Sequence, residues 1–338
     1  LENASEWKEY TTKDGKKGVR ETSTMPGSAG SSWYFMRYVD PTNNEVFADK
    51  KLLDHWLPVD LYIGGPEHTV GHLMYSRIWT KYLYQKGYIN FDEPFKKLVH
   101  QGMILGSNGI KMGKRFPEFV VNPSDIVREY GADTLRLYEM FMGPLKDEKP
   151  WSSAGLQAAR KFLERVVRLV SGETTCAVVE KDTPNLTKSY HKTVKKVTSD
   201  YENMSFNTAI AQMMIFVNDC YKEKEASKEY IEGLVKLLSP IAPHICEELW
   251  EFLGHNETLA YEAWPTYQEA LCVDNVVTIV IQVNGKIRDK IEASADATKE
   301  ELEKLALESV KVQELLNGAT PKKIIVVPKK LVSIVFSI

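Results

Sequence analysis

An α/β region, a helical bundle and a small α+β unit, in that order, are what this 338-residue sequence predicts. Three observations carry the prediction. Asp60-Leu61-Tyr62-Ile63-Gly64-Gly65 is a short apolar run ending in two glycines, and Pro66 then opens a helix, the βα geometry of a parallel sheet that receives phosphate or nucleotide at its carboxyl edge. Beyond Pro150 apolar residues such as Leu156, Ala159, Leu163, Val166, Val167 and Val170 recur at three and four, as in a bundle. Val277 to Val283 and Ile287 to Ile291 alternate around Asn284-Gly285, a strong hairpin signal.

Composition limits the function classes. Hydrophobic content of 43% and charged content of 26% describe an ordinary globular chain with material for two or three domains. The net charge of −3 argues against indiscriminate nucleic-acid binding, so any RNA contact must come from local basic faces. No apolar run approaches the roughly 20 residues that span a bilayer, and no secretory signal opens the chain. Cys176, Cys220, Cys246 and Cys272 stand too far apart for C-x-x-C metal chemistry and read as reduced, cytosolic packing residues. A cytoplasmic protein without a structural metal is therefore expected. Leu1 opens a polar hairpin with no initiator Met, so a fragment of a longer protein is expected too.

Residues Glu2 to Arg20 suggest strand, turn and strand. Glu21 to Phe35 is a small-residue loop running into an aromatic helix start, with Ser31 or Ser32 placed to cap it. Trp33, Tyr34 and Phe35 can wall an apolar pocket, although aromatics at a helix start are more often plain core. His68 and His72 are spaced i and i+4, as zinc ligands are, but Glu67 precedes the pair and no third ligand accompanies it. Two substrate-facing imidazoles are the stronger reading. Met74 to Lys86 continues as an amphipathic helix stopped by Gly87, and Lys96 to Leu105 is the next strand of a βαβ unit.

His100 to Arg115, HQGMILGSNGIKMGKR, is the most informative stretch. An apolar strand end meets a Gly106-Ser107-Asn108-Gly109 reversal, and Lys111-Met112-Gly113-Lys114-Arg115 follows at once. Three cations in five residues around a glycine can bring ammonium and backbone N–H groups to one polyphosphate. Taken alone, such a loop is more often a solvated turn. Asn122 then caps one helix, and Gly131 to Thr134 begin another that runs to about Phe141, where Gly143-Pro144 breaks it.

The bundle helices are expected at Ser153 to Ser171, Thr187 to Tyr201, Ser205 to Glu223, Ser227 to Leu238 and Pro243 to Leu253. Lys188, Lys192 and Lys195 stripe one face of the second; such stripes are usually solvated, with phosphate contact as the alternative. After a linker from Tyr267 to Asp274 comes the hairpin, on which Lys286, Arg288 and Lys290, spaced by two, share one strand face. Thr298 and Glu301 form a capping box for a single helix to about Leu316, and Ile324 to Val327 and Leu331 to Phe336 close the unit.

Five ordered blocks carry a resemblance: ETSTMPGSAGSSWYF, DLYIGGPEHTVGHLMYSR, the lysine loop, VNPSDIVREYGADTLRLYEMF and APHICEELWEFLG. Together with VTIVIQVNGKIRDKI near the end, they make the chain resemble the carboxyl-terminal part of the bacterial-type leucyl-tRNA synthetases, a class I aminoacyl-tRNA synthetase family. That last string separates it from isoleucyl and valyl relatives. The resemblance implies the second half of a Rossmann-like nucleotide-binding domain over residues 1–115, ending in the loop where the family has Lys-Met-Ser-Lys-Ser. Connecting helices over 116–150, an anticodon-binding-type bundle over 151–266 and a small α+β tRNA-binding domain over 267–338 follow. It implies leucine activation with ATP and Mg2+, then transfer to tRNA(Leu), by a cytoplasmic and monomeric enzyme.

Carried over by position, Lys111 and Lys114 hold ATP phosphates, joined by Met112 and Arg115 of the loop. Gly65, Glu67 and His68 lie against adenosine, Gln101, Gly102 and Met103 near the adenine, and Ser31, Tyr34 and His72 around the leucine side chain. Lys188, Lys192, Lys195, Lys286, Arg288 and Lys290 are the implied tRNA contacts. Gly113 and Arg115 replace both serines of the loop: Arg115 compensates through bidentate phosphate contact, or the loop is weakened. Ser28 stands where relatives often have an aromatic. The family's His-x-Gly-His signature and editing domain do not occur in these 338 residues. A fragment inactive alone is therefore expected, and the competing reading is a non-catalytic tRNA-binding module or truncated paralogue.

Overall fold

The computed structural model describes all residues except Met25, Pro26, Val273, Asp274, Asn275, Asp296, Ser337 and Ile338. It divides into two compact units, residues 1–163 with 201–210, and residues 164–200 with 211–338.

In the first unit a helical turn α1 (Ser5–Lys8) leads into the hairpin β1 (Glu9–Thr11) and β2 (Lys17–Val19), turned at Gly15 with φ +81°. The small-residue loop enters a 3-10 turn, Ser31–Trp33, and the short helix α2 (Tyr34–Arg37). Neither serine caps it, contrary to expectation. Ser32 Oγ donates back to the Ala29 carbonyl at 2.8 Å and Ser31 Oγ to the Ser28 carbonyl at 3.2 Å, so both hydroxyls close the preceding turn instead of receiving helix N–H groups. Phe35 and Met36 pack with Leu53 of α3 (Lys50–Trp56), Leu57, Ile89 and Phe91 in a local core.

The expected βαβ succession is present. β3 (Tyr62–Gly64) runs through a 3-10 turn at Pro66–His68 and a widened π turn at Thr69–Leu73 into α4 (Met74–Gln85). β4 (Leu98–His100) then returns parallel to β3, with Tyr62 opposite Leu98 and Gly64 opposite His100. The strand expected from Lys96 to Leu105 is broken at 101–103. Gly102 N–H leaves the β3 partner for the Leu145 carbonyl at 2.7 Å, and β5 (Ile104–Leu105) pairs instead, in parallel, with β6 (Lys149–Pro150). The reversal after β5 closes as its glycines suggest, with Gly106 N–H on the Ile110 carbonyl at 2.8 Å and Gly109 at φ +73°. α5 (Pro123–Tyr130) is capped by Asn122, whose side chain accepts from Ser124 N–H, and Gly131 at φ +89° turns the chain into α6 (Ala132–Phe141).

The bundle helices are α7 (Ser153–Ser171), α8 (Pro184–Glu202), α9 (Phe206–Lys222), α10 (Lys228–Leu238) and α11 (Pro243–Phe252). α8 begins three residues before the sequence suggests, because Pro184 fits its first turn and buried Thr183 is held outside it, accepting Ser227 N–H at 3.0 Å. Between them β7 (Ala177–Val179) and β8 (Glu225–Ser227) pair in parallel. In the second unit Tyr190 stacks on Tyr230 at 4.4 Å, and Val194, Val197, Phe216, Ile231 and Leu234 are buried.

The terminal α+β part has a four-stranded sheet in the order β10-β9-β12-β11: β9 (Val276–Val283), β10 (Lys286–Ser294), β11 (Lys323–Val327) and β12 (Leu331–Val335). β9 and β12 are parallel, the other pairs antiparallel. Ile279, Ile281, Val332 and Ile334 form its core with Leu302, Ala306 and Val312 of two helices. One helix was expected there. The chain breaks instead at Ser309, with ψ 126°, giving α12 (Lys299–Glu308) and α13 (Val310–Leu316), because Ser309 Oγ donates to Asp289 at 2.6 Å and Lys311 Nζ reaches the same carboxylate at 2.8 Å.

The shared face of Lys286, Arg288 and Lys290 is also corrected. A β-bulge between Ile287 and Asp289 shifts the register, so Lys286 lies opposite Val283 while Lys290 lies opposite Val280. Val283 is buried in the core and Val280 alternates away from it, so Lys286 and Lys290 leave opposite sides of the strand; all three cations remain exposed.

Candidate functional site

The end of β3 determines the site. Gly65 is buried, and a Cβ there would overlap the Glu67 carboxylate, which folds back over the glycine. A larger residue there would displace only the mobile tip of Glu67, so the glycine leaves room for that carboxylate and is not demanded by the turn itself. Beside it opens a cavity of about 470 Å³, lined by Ser28, Ser31, Tyr62, Ile63, Gly64, Gly65, Glu67, His68, His72, Leu73, Leu98 and Gln101. Its lining combines apolar Ile63, Leu73 and Leu98 with polar and charged side chains. Tyr62 Oη lies 2.6 Å from His72 Nε2 and 3.1 Å from the Tyr34 hydroxyl, and Ser31 Oγ lies 3.5 Å from His72 Nδ1. Burial, reinforced by nearby His68, holds the His72 imidazole below the usual histidine range, so the ring is neutral at pH 7. Burial also raises the Tyr62 phenol, as does its hydrogen bond to Tyr34. Stacking on Phe95, with centroids 3.8 Å apart and planes within 6°, fixes the Tyr62 ring. Trp79 Nε1–H donates to the Ala29 carbonyl at 3.2 Å and pins the small-residue loop.

A second cavity of about 370 Å³ shares Gly65, Glu67 and Gln101 with the first and adds Gly102, Met103, Ile104, Glu139, Met140, Leu145 and Lys149. At Gly102 a side chain would overlap the Asp147 carbonyl and come within 2.8 Å of Glu148 N, so glycine is required for the two backbones to meet. Burial pushes the Glu139 carboxyl up, only partly opposed by Arg136, and pushes the Lys149 ammonium down. A half-buried carboxyl and a half-buried amine therefore line one cavity together with Met103, Ile104, Met140 and Leu145.

Of the residues expected at the site, Ser31, Gly65, Glu67, His68, His72 and Gln101 line the first cavity, while Gly102 and Met103 line the second. Tyr34 joins through its hydroxyl. Lys111, Lys114 and Arg115 line neither; they are exposed on the loop after β5, where Leu105 bridges Lys111 and Met112 Sδ accepts from Val121 N–H at 3.4 Å. Arg115 lies over the Phe116 ring at 5.3 Å. On α8, Lys188, Lys192 and Lys195 are half-buried, and Lys195 pairs with Glu269. Sequence reasoning missed Tyr62, Glu139 and Lys149. The strand pattern marks Tyr62 as an alternating position, but its partner His72 comes from the following turn; nothing in the sequence flags Glu139 or Lys149. Among the described residues no group of three or more His, Cys, Asp or Glu side chains could hold a metal ion, and no helix is long and apolar enough to cross a membrane.

Residues 35–151, which contain both cavities' strands and the lysine loop, match the family of class I tRNA synthetases (I, L, M and V), and residues 185–304 match the anticodon-binding domain of tRNA ligase. The chain belongs to the class I tRNA synthetases. Among solved structures, the synthetase chain is similar over all of its length to LeuRS of Agrobacterium radiobacter, solved as a ternary complex with tRNA and LeuAMS, at 32% identity and a TM-score of 0.75. It spans 46% of the length of that LeuRS. Methionyl-tRNA synthetase of Mycobacterium tuberculosis bound by methionyl-adenylate shares the fold over 72% of the chain, with a TM-score of 0.52 and 11% identity. A second structure of that enzyme with methionyl-adenylate has a TM-score of 0.53 over 71% of the chain at 13% identity.

Proposed function

We propose that the chain is the carboxyl-terminal part of a leucine–tRNA ligase, a cytoplasmic and monomeric enzyme that activates leucine with ATP and transfers it to tRNA(Leu). The observation that supports this best is the pair of cavities joined through Gly65, Glu67 and Gln101 at the carboxyl ends of parallel strands, within a chain 32% identical to a LeuRS. The first cavity takes the leucine side chain against Ile63, Leu73 and Leu98, beside Ser31, Tyr34 and His72. Adenosine lies along Gly65, Glu67, His68 and the 101–103 break, and the exposed Lys111 and Lys114, with Met112 and Arg115, close on the phosphates. ATP arrives as its magnesium complex, the ion a companion of the substrate.

In this reaction the leucine carboxylate attacks the α-phosphorus and pyrophosphate leaves; the terminal ribose of the tRNA then takes the acyl group and AMP departs. No enzyme nucleophile is needed, so the chain's part is to hold reactants and balance phosphate charge. Residues 1–115 form the second half of the catalytic domain, 116–150 connecting helices, 151–266 the anticodon-binding bundle and 267–338 the small tRNA-binding domain. Lys286, Arg288 and Lys290 are exposed for phosphate contact. Lys188, Lys192 and Lys195 of α8 join them on giving up the partners they have within the chain, which for Lys195 include Glu269.

Without a His-x-Gly-His signature in these residues, the chain alone should not form leucyl-adenylate at a useful rate. Charge-assisted hydrogen bonds contribute about 1.5–3 kcal/mol each, and three missing ones slow activation by about 10³-fold or more. The test is leucine-dependent exchange of labelled pyrophosphate into ATP, run on the chain alone and on the chain mixed with a polypeptide carrying the signature half. Exchange only in the mixture is expected. Robust exchange by the chain alone, abolished by Lys114→Ala, would overturn the inactivity; no exchange in either would overturn the ligase reading in favour of a tRNA-binding module.

A further inference from the structure

We infer that Asp289 decides where the bulge of β10 falls, and that by placing it at Arg288 it acts as a positioning residue for the RNA contact of that guanidinium. The RNA half of the inference rests on reading β10 as a tRNA-contacting strand.

The hairpin of β9 and β10 carries two registers. Next to the turn, Lys286 lies opposite Val283 and Ile287 opposite Gln282; farther along, Asp289 lies opposite Ile281 and Ile291 opposite Ile279. One step along β9 is therefore matched by two along β10, and Arg288 is left with nothing opposite it.

Each register has its own anchor. Asn284 and Gly285, at φ +48° and +78°, form the two-residue turn that places Lys286 opposite Val283. Asn284 is tied to the end of β12: its N–H donates to the Ile334 carbonyl at 2.9 Å, its side-chain amide to the Phe336 carbonyl at 3.2 Å, and its side-chain oxygen accepts Phe336 N–H at 3.1 Å. At the far end Ala293 is buried in the core and Ile291 packs on it, which fixes the second register. With both ends held, one residue between them must leave the ladder. Neither anchor says which.

Asp289 makes that choice. Opposite buried Ile281, it faces the helix-covered side of the sheet, where it accepts from Ser309 Oγ at 2.6 Å and from Lys311 Nζ at 2.8 Å. Lys311 first and Ser309 next hold its carboxyl down at about 2, so this latch is fully charged at pH 7. The partners stand where α12 gives way to α13, and the carboxylate reaches them only if Asp289 already belongs to the far register. The bulge is thereby kept on the turn side of Asp289. Ile287 is paired with Gln282, so the extra residue is Arg288. A bulge held at one position presents the guanidinium from one place, and less freedom is lost when it meets a phosphate.

The experiment compares amide–amide contacts across the hairpin, by NMR on the deuterated, 15N-labelled chain, in wild type and in Asp289→Ala. Wild type should show Ile287 against Gln282 and Asp289 against Ile281, with no contact from Arg288 across the hairpin. In Asp289→Ala, Arg288 should gain a contact to Gln282 or to Ile281 as the bulge moves by one residue. Lys311→Ala removes a latch partner at an exposed position, keeps the fold and should loosen the same contacts. Contacts and amide exchange rates left as in wild type by both variants overturn the inference. A tRNA(Leu) transcript is then the binding probe. Arg288→Ala should lower the log–log salt slope by about 0.9 or less in the wild-type background, and by less than half as much in Asp289→Ala. Taking the difference within each background cancels the charge of Asp289 itself. An equal decrement in both backgrounds overturns the positioning role. No decrement in wild type, with the bulge moving as stated, overturns the RNA contact of Arg288 and leaves the placement of the bulge standing.

Discussion

Replacing Gly102 by alanine tests whether the broken strand is what builds the second cavity. The added methyl overlaps the Asp147 carbonyl and approaches Glu148 N at 2.8 Å, both backbone atoms that cannot swing aside as a side-chain tip would. Relief requires the 101–103 break and the 145–148 segment to separate. Separation loosens the bonds that join them: Gly102 N–H to Leu145 at 2.7 Å, Lys149 N–H to Met103 at 3.0 Å and Trp151 N–H to Leu105 at 2.9 Å. Overpacking costs about 1–3 kcal/mol and each strained or lost bond about 1 kcal/mol, so the substitution should destabilise the first unit by about 3–5 kcal/mol. For a unit of this size that is a fall in Tm of roughly 10 °C. Thermal unfolding followed by circular dichroism measures it, with Gly113→Ser as the control. At Gly113 a Cβ meets nothing within 4 Å and φ is not left-handed, so the control should stay within about 0.5 kcal/mol of wild type. A Gly102→Ala protein as stable as the control would refute the reasoning that the two backbones meet there.

Lys111→Ala and Lys114→Ala alter exposed loop residues and should leave Tm within a degree or two of wild type while weakening ATP binding, measured by calorimetry with the signature half present. Neutralising Lys286, Arg288 and Lys290 together should lower the log–log salt slope of tRNA binding by roughly 2.7 or less; an unchanged slope would remove them from the interface. Glu93 is held at about 2, below its ordinary 4.5, chiefly by Arg77 and then by Lys81. A depressed carboxylate contributes stability above its ordinary value and loses it as pH falls through about 2, so the Tm difference between wild type and Glu93→Gln should be present at pH 6 and vanish near pH 2.

The parts of the fold legible in the sequence are those set by local chemistry. Periodicity located the bundle helices, Asn284-Gly285 located the hairpin turn, at φ +48° and +78°, and Asn122 and Thr298 located two caps. Misreadings arose where a distant group competes with the local signal. Ser309 continues a helical pattern, yet Asp289, twenty residues earlier on a strand, takes its hydroxyl and ends the helix. The Lys96 to Leu105 run has an unbroken strand composition, yet Leu145 takes the Gly102 N–H. Spacing by two placed Lys286 and Lys290 on one face, but a bulge adds a residue to the count and reverses the parity.

The site follows the same division, and this bears on what kind of site it is. Gly64-Gly65 and Pro66 were readable because a βα turn favours those residue types in that order, whatever the ligand, and His68 and His72 because they stand at i and i+4 on one helical face. Tyr62, Glu139 and Lys149 were not, because their roles depend on what they meet: an imidazole one turn on, a helix some forty residues later, a strand after that. The readable residues supply a generic nucleotide-type cradle, and the unreadable ones set its polarity. The polarity of both cavities thus depends on side chains that tertiary packing brings together: His72, held below the usual histidine range by burial between Tyr62 and Ser31, and in the second cavity a carboxyl raised and an amine lowered by burial.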